Sequence, residues 1–321
     1  EQLASLPIAD ACFIDLVTKS EEQHPALTTP SVIYYNNFEK GYIFVIDHSE
    51  GFSLGVNKIE SFLQKHNKTY LLNAKRHSYY LTIPNTIDIL HTVLEQEGSI
   101  KDFTCDTTLH KDFGYKHRYL SNVNSLIPIC KHYEKCECMF EMVKPYVGLE
   151  SNLKWLNKYT EVYKWVEEQG IKIEDRLFDK HYEPTWKTNS VKNDKIYTSY
   201  NLYNLTARPT NAFNGINFLA LSKDKSRAAF IPQNDFFADF DFDGYHLRLI
   251  GNLLNIPLRV DVSVHTHLGQ EYFNKEELTQ EEYQLSKQIT FRQIYNGVED
   301  EYRKITLFKE IDEFTQVMWE E

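Results

Sequence analysis

Four sets of residues in this 321-residue sequence combine types and spacings suited to chemistry. In Phe236 to Leu249 (FFADFDFDGYHLRL), Asp239, Asp241 and Asp243 alternate with aromatic residues and lead into Leu-Arg-Leu-Ile-Gly-Asn-Leu-Leu, an apolar helical pattern. A carboxylate therefore stands where a strand passes into a helix, a common location for ligand sites; read alone, the run is a solvated acidic strand end. Lys287, Phe291 and Tyr295 recur every fourth residue. On one helix face they align a cation for phosphate oxygens with aromatic surfaces for base stacking, although such a row also serves an ordinary amphipathic helix. Asp15 ends a strand-like run, His77 closes Asn-Ala-Lys-Arg-His, and Tyr146 with Glu150 opens a long helical stretch. Their plain readings are a strand-end cap, a surface or core histidine, and a favourable first-turn charge. Cys130, His132, Cys136 and Cys138 invite a zinc reading, but Cys-x-Cys strains one tetrahedral site and no second Cys-x2-Cys knuckle exists.

The elements that must position these residues are mixed α/β. Phe13 to Val17 (FIDLV), Gly41 to Ile46 (GYIFVI) and Thr69 to Leu72 (TYLL) read as strands. Ile59 to Lys65 and Thr86 to Gln96 carry apolar residues at helical spacing, and Leu149 to Gln169 is the longest amphipathic stretch, with Gly170 placed to end it. A domain boundary falls near there. With 35 basic and 46 acidic residues the net charge is −11, so any nucleic-acid contact must be a local groove rather than diffuse attraction. Five cysteines, an odd number in a chain of this size, predict reduced thiols. No run is long and apolar enough to span a membrane, and Glu1 to Asp10 has no signal-peptide pattern, so the expected compartment is the cytoplasm.

Asp15, the Asn73 to His77 segment and the Tyr146-x3-Glu150 spacing together resemble, in order, the three exonuclease motifs of the proofreading domain in family A DNA polymerases. There Asp-x-Glu, Asn-x3-Asp and Tyr-x3-Asp supply four carboxylates for two metal ions. This sequence has Val17, His77 and Glu150 at three of those positions. The resemblance therefore implies an RNase H-like exonuclease fold over residues 1–155 without exonuclease activity, because valine cannot ligate a hard cation. Cys105 to Leu109 fits the Asp-Thr strand between the second and third motifs.

Glu161 to Lys172 resembles the passage into the polymerase domain, with residues 173–196 leaving room for only a short thumb. Thr206-Ala-Arg208, Gly215-Ile-Asn217 and Arg227-x2-Phe230 resemble the family's Thr-Gly-Arg segment. Arg208 and Asn217 would then contact the primer–template minor groove. Asp241 to Arg248 resembles polymerase motif A, which implies Asp241 and the Phe242 carbonyl as magnesium ligands in a two-metal site, with His246 in place of the sugar-excluding Glu. Val264-His265 resembles the triphosphate-contacting segment, where Ser263 replaces an Asp. Lys287, Phe291, Tyr295 and Gly297 resemble motif B, with Tyr283 replacing a phosphate-contacting Arg and Arg292 a Gly.

The His-Asp-Glu triplet of motif C is absent from residues 298–321. Two-metal phosphoryl transfer needs a second carboxylate, so Asp241 alone should not catalyse. Residues 156–321 are accordingly expected to be a partial polymerase domain of short thumb, palm and fingers. Its partners would be primer–template DNA, a deoxynucleoside triphosphate and a second polypeptide carrying motif C. The brevity and altered motifs resemble phage-type members, whose compartment is the cytoplasm of an infected host. The alternative is a polymerase-derived DNA-binding or replication scaffold without chemistry.

Overall fold

In the computed structural model, residues 3–103, 105, 122–149, 151–204, 208–212 and 216–320 are described. They divide into two compact units, Glu1–Phe237 and Ala238–Glu321.

The first unit grows from β1 (Ala11–Thr18), whose apolar residues point both ways, as a strand covered on both faces requires. Phe13 and Val17 join one core, while Cys12, Ile14 and Leu16 join another. β2 (Pro30–Asn36) and β3 (Gly41–Val45) extend the sheet antiparallel, with Ile14 opposite Tyr35 and Tyr35 opposite Tyr42. Helix α1 (Val56–Leu63) buries Ile59, Phe62 and Leu63 and leads to β4 (Lys68–Leu71), which runs parallel to β1. After the short helix α2 (Ala74–Ser78), β5 (Thr86–Asp88) pairs parallel with β4, giving the order β3-β2-β1-β4-β5. This mixed sheet agrees with the RNase H-like fold expected of the first half.

Helix was expected from Thr86, but α3 spans Ile89–Glu97. The cause is Asp88, whose carboxylate accepts the backbone N–H groups of Leu90, Asn73 and Ala74 at 3.0, 3.1 and 2.6 Å, so Thr86 and Ile87 extend before the cap. Helix α4 (Ile129–Val143) covers the Phe13 face through Cys136, Met139, Phe140 and Val143. Reduced thiols were expected throughout, and here the structure differs. Cys138 on α4 forms a disulfide with Cys105, their Cα atoms being 6.1 Å apart and within bridging range. The same bond removes Cys138 from any zinc cluster. Asp106 to Leu109, expected as a strand, lie outside the described residues.

Helix α5 (Leu156–Gln169) ends where expected, at Gly170. Its φ is +60°, and a Cβ there would sit 3.0 Å from the Tyr197 ring and 3.1 Å from the Ile196 carbonyl. A small sheet follows: β6 (Ile171–Ile173), then α6 (Asp175–His181) and α7 (Pro184–Ser190), then β7 (Val191–Lys192) and β8 (Lys195–Ile196). β9 (Tyr200–Asn201) pairs with β10 (Thr210–Asn211), and β11 (Phe230–Ile231) returns to β6. Residues 156–237, expected with the polymerase half, lie in the same unit as the first sheet.

A buried ion pair ties these pieces together. Lys75 of α2 meets Glu167 of α5 with both side chains almost fully buried. Glu167 also accepts from the Tyr200 N–H at 2.6 Å and the Tyr79 hydroxyl at 2.7 Å, and Lys75 donates to the Tyr200 carbonyl and to Ser199. Burial works to lower the Lys75 pKa, and the Glu167 charge opposes it. Nearby, His24 is fully buried, its Nε2 3.0 Å from the Thr198 carbonyl and its Nδ1 accepting from the Ala26 N–H.

The second unit contains no strand among its described residues. Helices α8 (Tyr245–Leu253), α9 (Val264–Phe273), α10 (Gln280–Asn296) and α11 (Thr306–Glu320) enclose Leu247, Val264, Leu268, Ile305, Leu307 and Phe308. Thr279 and Glu282 form a reciprocal capping box at the start of α10.

Glu167→Ala leaves the Lys75 ammonium buried without its partner, and should cost about 3–5 kcal/mol of stability in urea unfolding. Desolvation lowers the His24 pKa from 6.5 to about 4, so the unfolded chain binds the proton more readily. The His24 contribution is complete above about pH 6.5 and is lost progressively as the pH falls to about 4. His24→Gln should flatten that part of the stability–pH curve.

Candidate functional site

The motif-B expectation of a helical face is met by α10. Phe291 and Tyr295 stack with centroids 6.2 Å apart at 19°, and the Lys287 ammonium lies 4.8 Å from the Tyr283 ring centroid. One row, with Lys287 half-buried and Phe291 and Tyr295 exposed, thus carries cation and rings in the order the four-residue period implies. Lys287 forms no ion pair among the described residues, and Arg292 turns away to pair with Glu299. His265 sits beneath this row, its ring 5.4 Å from Phe291 and 6.5 Å from Tyr283. It is only 5% exposed, and its Nδ1 has no hydrogen-bond partner among the described residues. Burial first, and the Lys287 charge second, lower its pKa, so the ring is neutral near pH 7.

The helix cap brings the acidic run to the same unit. Gly244 has φ +54°, and a Cβ there would lie 3.0 Å from Val264, so the turn into α8 needs glycine on both counts. The best-anchored carboxylate is Asp243, two residues beyond the Asp241 singled out from the sequence. It accepts from Arg248 at 2.7 Å and from the Val264 N–H at 3.0 Å. Burial works to raise its pKa, but these donors outweigh it and hold the carboxyl below its usual range. Asp241 is exposed and accepts the adjacent Phe242 N–H at 2.8 Å.

The strand expected over Phe236–Phe242 does not form: these residues are irregular. Their alternation suits a strand, but no neighbouring strand pairs with them among the described residues, and a lone strand is unstable in water. His246 lies on α8 with its ring 5.7 Å from Tyr245. Magnesium takes oxygen donors, which Asp241 and the Phe242 carbonyl offer. Among the described residues, however, no group of three or more His, Cys, Asp or Glu side chains is arranged to hold a metal. The donors present fit a ligand position and do not make a complete two-metal site.

The exonuclease-motif residues are only partly gathered. Asp15 is buried on β1, with His77 Nε2 3.7 Å from one oxygen and Cys136 Sγ 4.0 Å from the other. The His77 Nδ1 lies 3.1 Å from the Asn73 carbonyl, and burial, the largest influence, lowers its pKa. Burial raises the Cys136 pKa well above its ordinary value, so no thiolate is available. Tyr146 instead hydrogen-bonds Glu97 and Lys101, each at 2.8 Å. Glu150 lies outside the described residues.

Arg208 is exposed beside β10, and its carbonyl accepts from Asn204 at 3.2 Å. Asn217 caps a short helical turn by accepting from the Leu219 N–H at 3.1 Å. Arg227 holds the Leu221 and Ser222 carbonyls, which makes it a turn clamp. A cavity of 210 Å³ is lined by Asn73 and Arg76 of the second motif segment and by Tyr80 and Tyr203, which had no counterpart among the sequence candidates. Its only local signal was the polar Asn73-to-His77 segment after β4.

No family model matches the chain, and no curated protein does. Its fold is similar to a solved structure, the POL domain of Pol1 from M. smegmatis in complex with DNA primer-template and dNTP. The TM-score is 0.61 at 11% sequence identity, covering 98% of this chain and 76% of that one. The fold of this chain is therefore DNA polymerase-like.

Proposed function

We propose that this chain is part of a template-directed DNA polymerase, adding deoxynucleotides to a primer 3′ end. The observation that carries the reading is the Lys287, Phe291, Tyr295 face of α10, within a fold similar to a polymerase domain captured with primer-template and dNTP. Lys287 offers charge to triphosphate oxygens, and the two rings offer stacking surface to a nascent base pair. Arg208 and Asn217 contact primer–template, and His246 borders the sugar. His265 acts by supporting Phe291 from below, which differs from the triphosphate contact expected of it.

Asp241 and the Phe242 carbonyl supply part of a magnesium site. A second polypeptide bearing motif C supplies the missing carboxylate in this reading. Residues 1–155 serve as an exonuclease-like domain without nuclease activity, consistent with Val17 on β1, His77 facing Asp15 and the protonated Cys136 thiol beside it. Residues 156–321 serve as the partial polymerase domain.

A second reading, a polymerase-derived DNA-binding scaffold without chemistry, is favoured by one observation: Asp243, the carboxylate of the acidic run that meets the start of α9, is already committed to Arg248.

Co-purification from native expression followed by primer extension separates the two, because only the first requires a completing polypeptide with extension activity. In that complex Asp241→Ala should abolish extension while primer–template affinity is unchanged. Lys287→Ala should weaken dNTP binding about tenfold or more, the scale of a lost charged hydrogen bond of ~1.5–3 kcal/mol. Extension at the parental rate by Asp241→Ala would overturn the metal-ligand assignment.

A further inference from the structure

The acidic run contains an unused binding surface. From Ala238 to Asp243 the residues alternate strictly, with Ala238, Phe240 and Phe242 on one side of an extended chain and Asp239, Asp241 and Asp243 on the other. Such a pattern specifies a strand with one apolar face and one charged face. Yet Phe240 is 91% exposed and Phe242 77% exposed. The backbone of Ala238 to Phe242 makes no hydrogen bond to another backbone group among the described residues. The apolar surface continues along α8 through Tyr245, Leu249 and Leu253, one side of that helix and all exposed. The Phe242 N–H meets the Asp241 carboxylate, and the remaining backbone groups, beside exposed aromatic residues, form a template for an added strand.

A second copy of the chain fits this template poorly. In an antiparallel pairing that keeps the faces matched, Asp241 would oppose Asp241 and Asp239 would oppose Asp243, placing like charges directly across from each other. Shifting by one residue puts Phe240 opposite Asp241 and mixes the two faces. A parallel, in-register pair again sets acid beside acid. Asp243 is already neutralised by Arg248, which leaves Asp239 and Asp241 as the open charges.

We propose that residues 238–243 accept a strand from a partner polypeptide whose residues alternate between basic and apolar, the basic ones facing Asp239 and Asp241 and the apolar ones facing Phe240 and Phe242. Backbone pairing supplies the added strand, and the alternation sets its register. This interaction is independent of the polymerase reading. If Asp241 also ligates magnesium, the cation and the strand compete for it, so binding is measured in EDTA.

The probe is a fluorescein-labelled octapeptide of alternating lysine and valine. It is compared by anisotropy with a block octapeptide of the same composition and charge, in which all the lysines precede all the valines. The alternating peptide should bind the full chain at least tenfold more tightly and slow hydrogen exchange at the amides of residues 239–243 by tenfold or more. In the double variant Asp239→Lys/Asp241→Lys, preference should pass to an alternating glutamate–valine peptide. Equal affinity for the alternating and block lysine–valine peptides, binding without protection of these amides, or an unchanged preference in the variant would each overturn the proposal. So would sedimentation showing a dimer of the chain alone with residues 239–243 protected.

Discussion

The first unit depends on a charge that cannot be left alone. Lys75 is carried inside at the start of a five-residue helix, and only Glu167, 92 residues later, makes that position tolerable. The pair is embedded in hydrogen bonds from Ser199, Tyr200 and Tyr79, so both charges have their remaining capacity filled. A buried pair of this kind adds little over an apolar pair of equal volume, but it discriminates strongly against wrong docking. Helix α5 can meet the sheet at one height and in one rotation, and the strand at Tyr200 is fixed by the same carboxylate. Asp88 repeats the device on a smaller scale, accepting the Tyr203 hydroxyl at 2.6 Å while capping α3. Two acids thereby hold the 199–203 segment against the carboxyl ends of the first sheet.

The second unit is organised differently. Its interior is apolar, α9 and α10 are started by local caps, and its polar chemistry is displayed on the outside of α10 and in the turn before α8. Rigidity on the inside with cations and rings outside is the arrangement a binding face needs, because the side chains that touch a ligand are not also required to hold the fold. His265 is the exception. It is sealed between Tyr283 and Phe291, and its carbonyl accepts the Ser286 hydroxyl at 2.6 Å, so it joins α9 to the displayed row of α10.

What the sequence made legible was local. FIDLV, GYIFVI and TYLL are strands within a residue or two, and Gly170 ends its helix, because alternation and a left-handed terminus are written in neighbouring residues. Lys287, Phe291 and Tyr295 share a face for the same reason. What stayed hidden was pairing at a distance. Nothing near Cys105 signals Cys138, and nothing near Lys75 signals Glu167, since such partners obey no period. The run at Phe236–Phe242 failed in the opposite direction: its local pattern is that of a strand, and strand formation also requires a neighbour. Asp243, two residues from the carboxylate that motif resemblance favoured, became the anchored one because Arg248 lies little more than one helical turn away.

The long separation between Lys75 and its partners also sets an order of events during synthesis. Domains form from the amino end as the chain emerges. The strands of the first sheet are all made by residue 88, but the groups that neutralise Lys75 and complete the Asp88 shell come only with Glu167, Tyr200 and Tyr203. Over that interval the sheet can pair its strands while Lys75 stays in water and α2 stays undocked. Before those residues are made, the carboxyl-end surface of the sheet lacks the groups that fix it, and its Phe13 face waits for helix α4. The strand ends of the sheet made first are thus fixed by side chains made more than a hundred residues later.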